Sequence, residues 1–512
     1  MFSKWGLIVA AIAAMLLPMF FMLFSTHPGP ELEIRPSLRL HYTPCFDGFQ
    51  CARLRDPDSP DIVLAVIRLP ARVSVHDPRY GGAIITNPGG PGGSGVHSLL
   101  SDRRSIQSIV DSPLPLAEGE GSYFDIISFD PRGINNTTPS FLCHRGALER
   151  YVWDAQTQAE GLLASSPMAF QTGWVRAMAL ARSCANENEH LLSHMHTHVV
   201  AADLLELVEQ HGEWRARQHP DSYKANLSLK RDREEEKLLM VMDGVMDAAG
   251  YYQGRLMSLL PDADAILLNF ADLCRAAGPT QCSFYSDMDI MGELNSPIEF
   301  PQMADLLSDL SYGNGSLFAQ YKSGLRSPLL PPRPCEPDQS SSSCQPHDQL
   351  LYDGTYAIFC SDANHLSQLS RHDFEQWSAG LQRQSPWSGA IISEFLLPCY
   401  GWKSLNLSSV PQNRTIASNS TPPIFWIGNK LDAATPLANA YLMASLFNNS
   451  VVLEQNSVGH CSTSSPSNCT SHTVRRYIQE GVLPLTGTVC EVDALPFGVV
   501  HSMVSEGRKE DL

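Results

Sequence analysis

The chain has 512 residues with 36 basic and 54 acidic side chains, and its formal net charge of −18 disfavours nucleic acid or anionic lipid as a principal partner. With 43% hydrophobic and 18% charged residues it has the composition of a globular protein, which excludes disorder over most of its length. The length exceeds what one compact core usually holds, so a large α/β domain with an inserted or appended second layer is expected.

At the N-terminus, Lys4 precedes an uncharged apolar run from Trp5 to Phe24, about the length that spans a bilayer. Residues 1–25 therefore read as a signal peptide or a signal anchor; Pro18 interrupts the run and no clean small-x-small pattern follows at Leu23, Phe24 and Ser25. Export to the secretory pathway agrees with N-x-[ST] glycan acceptors at Asn135, Asn136, Asn226, Asn314, Asn406, Asn413, Asn419, Asn448 and Asn468. In that compartment most of the 13 cysteines should be oxidised. The close pairs Cys45/Cys51, Cys274/Cys282, Cys335/Cys344 and Cys461/Cys469 are plausible local staples, and the odd total leaves at least one cysteine unpaired, such as Cys490. None of these pairs has the paired C-x-x-C or histidine spacing of a zinc site, so no metal or other cofactor is expected.

Further along, Ile62 to Leu69, Gly82 to Thr86 and Phe124 to Phe129 read as short buried strands running into Gly or Pro turns, which suits a mostly parallel sheet. An amphipathic helix starts at Thr197, with Val200, Leu204, Leu207 and Val208 on one face, and should finish near Gly212. The run Leu238 to Val245 reads as one further strand. From Tyr251 to Ser388 the pattern is helical and irregular, as an inserted cap would be, and Pro331 to Ser343 is a Pro- and Ser-rich surface loop. The sheet signal returns at Ile424 to Ile427 and Val451 to Leu453, each followed by a polar loop, the first holding Asp432 and the second His460. The expected organisation is a core over residues 40–250, a helical cap over 251–388 and the rest of the core over 389–495.

The segment Asn87-Pro88-Gly89-Gly90-Pro91-Gly92-Gly93-Ser94-Gly95 follows a strand and lacks both the G-x-G-x-x-G and the GK[ST] ending of phosphate loops. Its glycines would let backbone N–H groups approach a substrate oxygen, as an oxyanion hole requires. That loop, together with Asp125 to Gly133, Met242-Asp243-Gly244-Val245, Gly428-Asn429-Lys430-Leu431-Asp432 with Thr435-Pro436-Leu437, and Asn456-Ser457-Val458-Gly459-His460-Cys461, resembles the secreted tripeptidyl aminopeptidases. These belong with the prolyl-aminopeptidase-like α/β-hydrolases. The resemblance covers nearly everything after Cys45. It implies an α/β-hydrolase fold releasing short peptides from free N-termini through an acyl-enzyme, with Asp432 and His460 as triad members and Gly89 or Gly90 as oxyanion donors. Peptides with free N-termini would be the partners.

The third triad member should be a serine in G-x-S-x-G on a strand-to-helix turn before Met242-Asp243-Gly244, and no G-x-S-x-G occurs in the chain. Relatives carry a strand, the elbow and a helix there, on the order of thirty residues, the size of a βαβ unit. The central nucleophile strand and its helix are therefore expected to be deleted, leaving a gap that the flanking strands must shift to close. A skipped coding block is the favoured reading; a catalytically dead hydrolase that binds peptides, or an esterase, are the alternatives.

Overall fold

The computed structural model describes residues 34–499 except 58, 60, 103–104, 114–120, 219–238, 285–299, 318–319, 321–346, 387 and 403–422. The apolar segment 1–25, the loop 331–343 with Cys335 and Cys344, and the acceptors Asn226, Asn406, Asn413 and Asn419 lie outside the described residues. Among those described, no helix is long and apolar enough to cross a membrane.

Strands β1 (Thr43–Pro44), β2 (Gln50–Arg55), β3 (Val63–Leu69), β4 (Tyr80–Thr86) and β5 (Tyr123–Asp130) form one sheet in the order β1-β2-β3-β5-β4. Every residue of β3 and β5 is buried, which is why both read as continuous apolar runs rather than alternating ones. In this sheet the expected parallel pairing is limited to β4–β5, while β1–β2, β2–β3 and β3–β5 pair antiparallel. The β4–β5 crossover is made by α1 (Gly95–Asp102) and α2 (Ser105–Val110).

After β5 the chain forms α3 (Ala147–Glu160), α4 (Pro167–Glu187) and α5 (Thr197–Gln218). Helix α5 runs past Gly212, where the sequence pattern ends it, because tertiary contacts hold its last turn. Trp214 packs edge-on against Tyr42 at 5.1 Å and under the Arg68 guanidinium at 4.3 Å, and Arg217 donates to the Leu40 carbonyl at 3.1 Å. Next come β6 (Val241–Asp243), α6 (Ala248–Tyr252), α7 (Ala263–Ala277), α8 (Phe300–Ser311), α9 (His347–Asp362), α10 (Arg371–Gln384) and α11 (Gly389–Leu396). Helix α4 buries Ala177, Leu180, Ala181, Cys184 and Ala185, a three- and four-residue spacing that joins it to one core with Phe359 of α9, Phe374 of α10 and Leu396 of α11. Then β7 (Phe425–Leu431), α12 (Leu437–Ala444), β8 (Val451–Val458), α13 (Asn468–Glu480) and β9 (Val489–Glu491) complete a second sheet, all parallel, in the order β6-β7-β8-β9.

The two sheets are not joined by strand pairing among the described residues. Among the described residues each ends on a parallel strand with one unpaired edge, β4 in the first and β6 in the second. Ile84 and Ile85 are half-buried, whereas their partners across the ladder, Ile126 and Ile127, are fully buried. Met242 on β6 is 39% exposed, while its ladder partner Trp426 is buried. What holds the sheets together is α13. Arg475 donates to the carbonyls of Asp111 and Ser108 at 3.1 and 2.9 Å, Gln479 exchanges hydrogen bonds with Ser122, and Ile478 packs into the cores of both sheets.

Cys45–Cys51 and Cys274–Cys282 are bonded as expected, and Cys143–Cys184 and Cys360–Cys399 are long-range additions. The pairing of Cys461 with Cys469 is overturned. Cys469 bonds Cys490, because the start of α13 and strand β9 bring their Cα atoms to 5.4 Å, and Cys461 is the free thiol among the described residues.

Candidate active site

Strands β7 and β8 run parallel with Leu431 opposite Val458, so the residues after them emerge side by side at the carboxyl end of the sheet. Asp432 follows β7 and His460 follows β8 by one glycine. Gly459 adopts φ +115° and donates its N–H to Leu431 O at 2.9 Å, which fixes the turn that presents the imidazole. His460 Nδ1 lies 3.2 Å from each Asp432 carboxylate oxygen. The two residues singled out from the sequence are thus brought together as a hydrogen-bonded pair.

Asp432 is fully buried, and its lone pairs are taken by the N–H groups of Ala434 and Thr435 at 2.8 Å, the Thr435 hydroxyl at 2.8 Å and the Cys461 N–H at 3.0 Å. Burial pushes its pKa up, but the hydrogen bond and charge of His460 with the donated N–H groups outweigh this and hold the carboxyl below its ordinary range. His460 is shifted the other way. Its hydrogen bond to Asp432 raises it against the opposing effect of burial, with the charges of Asp432 and Asp243 adding to the rise.

The linkage follows from these directions. The raised His460 contributes stability that is full below its ordinary value of 6.5 and fades as pH rises through the folded value. The lowered Asp432 contributes above its ordinary value of 3.8 and is lost as pH falls through the folded value. In a chain labelled with ¹³C-histidine, the His460 Cε1 resonance should titrate above pH 6.5, and Asp432→Asn should bring the midpoint down. An unchanged midpoint in that variant would mean the pair is not coupled in solution.

Three residues that the sequence alone did not assign a role hold the histidine turn. Buried Asn429 donates to the carbonyls of Gly459 and Cys461 at 2.7 and 2.6 Å. Asp243, at the end of β6, accepts from the Ser462 N–H at 3.0 Å and hydroxyl at 2.6 Å. Gly244 has φ +69°, and a Cβ there would stand 2.4 Å from Cys461 Sγ and 3.2 Å from His460 Cε1, so only glycine fits. Asn429 and Asp243 were visible as motif members, but a motif does not tell which polar group a side chain meets across two strands.

The other imidazole nitrogen, Nε2, faces the Cys461 thiol at 3.4 Å. Burial first, then the charges of Asp243 and Asp432, push that thiol well above its ordinary range, which suppresses the thiolate. The glycine loop follows β4, and Gly89 and Gly90 both adopt positive φ, +77° and +121°. The Gly89 N–H is occupied by Asn87 Oδ1 at 2.9 Å, whereas that of Gly90 has no hydrogen-bond partner among the described residues. Ser94 is committed to structure: its hydroxyl donates to Asp130 at 2.5 Å and accepts from the His97 N–H at 3.0 Å at the start of α1. No described hydrogen bond connects this loop to His460.

Of the described glycan acceptors, Asn314, Asn448 and Asn468 are exposed. The amide nitrogens of Asn135 and Asn136 instead donate inside the fold, to Ser94 at 3.1 Å and Asp130 at 2.8 Å.

Residues 385–490, which include both strands and both members of the pair, match the model of the family described as TAP-like protein. The chain is 35% identical over 106 residues to "Serine protease Hip1" of Mycobacterium tuberculosis, covering 20% of this chain and 18% of that protein. It is likewise 35% identical over 91 residues to "Carboxylesterase B" of the same organism, covering 18% of this chain and 15% of that protein. The matched region therefore spans less than a fifth of these relatives. Over residues 385–490 the chain therefore resembles a TAP-like α/β-hydrolase domain, and the relatives it partly matches are named as a serine protease and a carboxylesterase.

Proposed function

We propose that the chain is the scaffold of a secreted or membrane-anchored serine exopeptidase of the tripeptidyl or prolyl aminopeptidase type, from which the nucleophile strand, elbow and helix are missing, so that this 512-residue form is inert. One observation carries the reading: a complete Asp432–His460 pair stands beside a split sheet whose open edges, β4 and β6, are those that would flank the nucleophile strand. With that block in place, a serine hydroxyl would attack the scissile carbonyl of a peptide with a free N-terminus. His460 Nε2 would take its proton while Asp432 held the imidazole in the right tautomer, and the Gly90 N–H would receive the developing oxyanion. Among the described residues Nε2 meets the Cys461 thiol, whose raised pKa makes it a poor replacement. Five disulfides among the described residues support an oxidising compartment.

The test is to sequence transcripts across the codons of Leu239 and Met240 and to label the 512-residue chain with a fluorophosphonate. A longer transcript encoding G-x-S-x-G with no labelling of this form is expected. Labelling of a serine here would overturn inertness, and the absence of any longer transcript would favour a dead hydrolase that binds peptides. A second reading, ester hydrolysis by the intact form, draws support from the relative named carboxylesterase. N-acetylation of the substrate separates the two, since an aminopeptidase needs the free amine.

A further inference from the structure

Away from the Asp432–His460 pair, two histidines and a buried carboxylate meet where α5 abuts α9. His196 and His198 bracket Thr197, the first residue of α5, and Asp362 is the last residue of α9. One ring nitrogen of each histidine and one Asp362 oxygen all lie within 4.8 Å of one another. His196 Nδ1 is 3.7 Å from Asp362 Oδ1, and the two imidazole centroids are 5.3 Å apart.

The second observation is the state of His196. Its ring is 2% exposed, and neither ring nitrogen has a hydrogen-bond partner among the described residues. Buried polar atoms are nearly always satisfied, and an imidazole nitrogen sealed from water carries its full desolvation cost unless something accepts from it or binds it. Asp362 is in contrast already oriented: Thr197 donates to it through its N–H at 3.2 Å and through its hydroxyl, and Tyr251 OH donates to Oδ2 at 3.1 Å. A carboxylate pinned by hydroxyl and amide donors, beside an imidazole with unused nitrogens, is how ligating side chains are held before a metal arrives.

We propose that His196, His198 and Asp362 form a site for a divalent transition metal of the zinc class, which clamps α9 of the helical insertion to the core helix α5. Two imidazoles with one carboxylate suit zinc, copper or nickel rather than magnesium or calcium, which demand oxygen ligands. Tetrahedral bonds of about 2.0–2.2 Å place ligand atoms roughly 3.4 Å apart, so the His196–Asp362 pair already stands near the required separation. His198 is exposed; it swings in to close the site, and water takes the fourth position. Other charges nearby are spoken for: Arg132, 3.4 Å from His194, is paired with Asp203 and Asp56. The site shares no residue with the Asp432–His460 pair and stands whether or not the functional reading above does.

The full chain, stripped with EDTA and dialysed, is titrated with ZnCl2 while bound metal and melting temperature are measured. Retention of one zinc per chain is expected at this site, with a rise in Tm on the order of 2–5 °C at zinc about 100-fold above Kd, and no such rise with MgCl2. His198→Ala changes an exposed side chain and should keep the fold by circular dichroism while losing that zinc and the Tm rise; His196→Leu should lose both as well. His460→Ala should keep both. The proposal is overturned if the native chain retains no zinc, which would leave His196 and Asp362 as a plain buried ion pair, or if His198→Ala binds and responds as the native chain does.

Discussion

If the proposed function holds, adding a strand, a G-x-S-x-G elbow and a helix between α5 and β6 should give a hydrolase whose turnover exceeds that of the 512-residue form by at least about 10⁵-fold. The size follows from what is already present. Triad members act as a unit, so an Asp–His pair without its nucleophile leaves almost none of the acceleration, and adding the hydroxyl recovers nearly all of it. The restored enzyme should lose that gain on His460→Ala. In the 512-residue chain the same substitution should change no measured rate, because no serine hydroxyl among the described residues is hydrogen-bonded to His460 Nε2, which faces the Cys461 thiol. Peptide and ester turnover by both forms checks this, and purified 512-residue material with His460-dependent turnover would refute it. The restored strand should also pair with β4 and β6, so those amides of the two strands that face away from β5 and β7 should gain protection from hydrogen exchange.

The second large effect lies at Arg132, which crosses from the loop after β5 to α5. Its guanidinium is bidentate to Asp203 at 2.7 and 2.6 Å and pairs with Asp56 at 2.8 Å, with all three side chains buried. Arg132→Ala should cost about 3–5 kcal/mol, because it strands two buried carboxylates facing each other. The pH dependence has a defined sign. Burial already raises Asp203, and the Arg132 hydrogen bond and charge oppose that rise, so their removal lifts it further. The folded variant then binds more protons than the unfolded chain, and its stability falls as pH rises from the ordinary value of 3.8 through the raised one. Urea denaturation at pH 4 and pH 7 should show the larger loss at pH 7. An equal loss at both would mean that packing, not the stranded charge, dominates. Arg132→Met combined with Asp203→Leu should recover part of the loss, since it removes one of the two carboxylates that Arg132 neutralises and fills its place with an apolar side chain.

What the sequence determined by itself was local. The all-buried strands β3 and β5, the positions of Asp432 and His460 at the ends of β7 and β8, and the staples Cys45–Cys51 and Cys274–Cys282 are encoded by apolar runs and short spacings. The absence of a G-x-S-x-G pattern was equally legible. What only the tertiary structure decided was non-local. It set the antiparallel pairing of β3 with β5, the extension of α5 to Gln218 under Arg68 and Tyr42, and the bond from Cys469 to Cys490 in place of Cys461. It also showed that Asp243 and Asn429 hold the histidine turn and that His196 meets Asp362 across 166 positions of chain. The reason is physical: a strand or a helix is specified by the periodicity of its own residues, whereas a polar contact is specified by whichever partner the packing of other elements delivers to it.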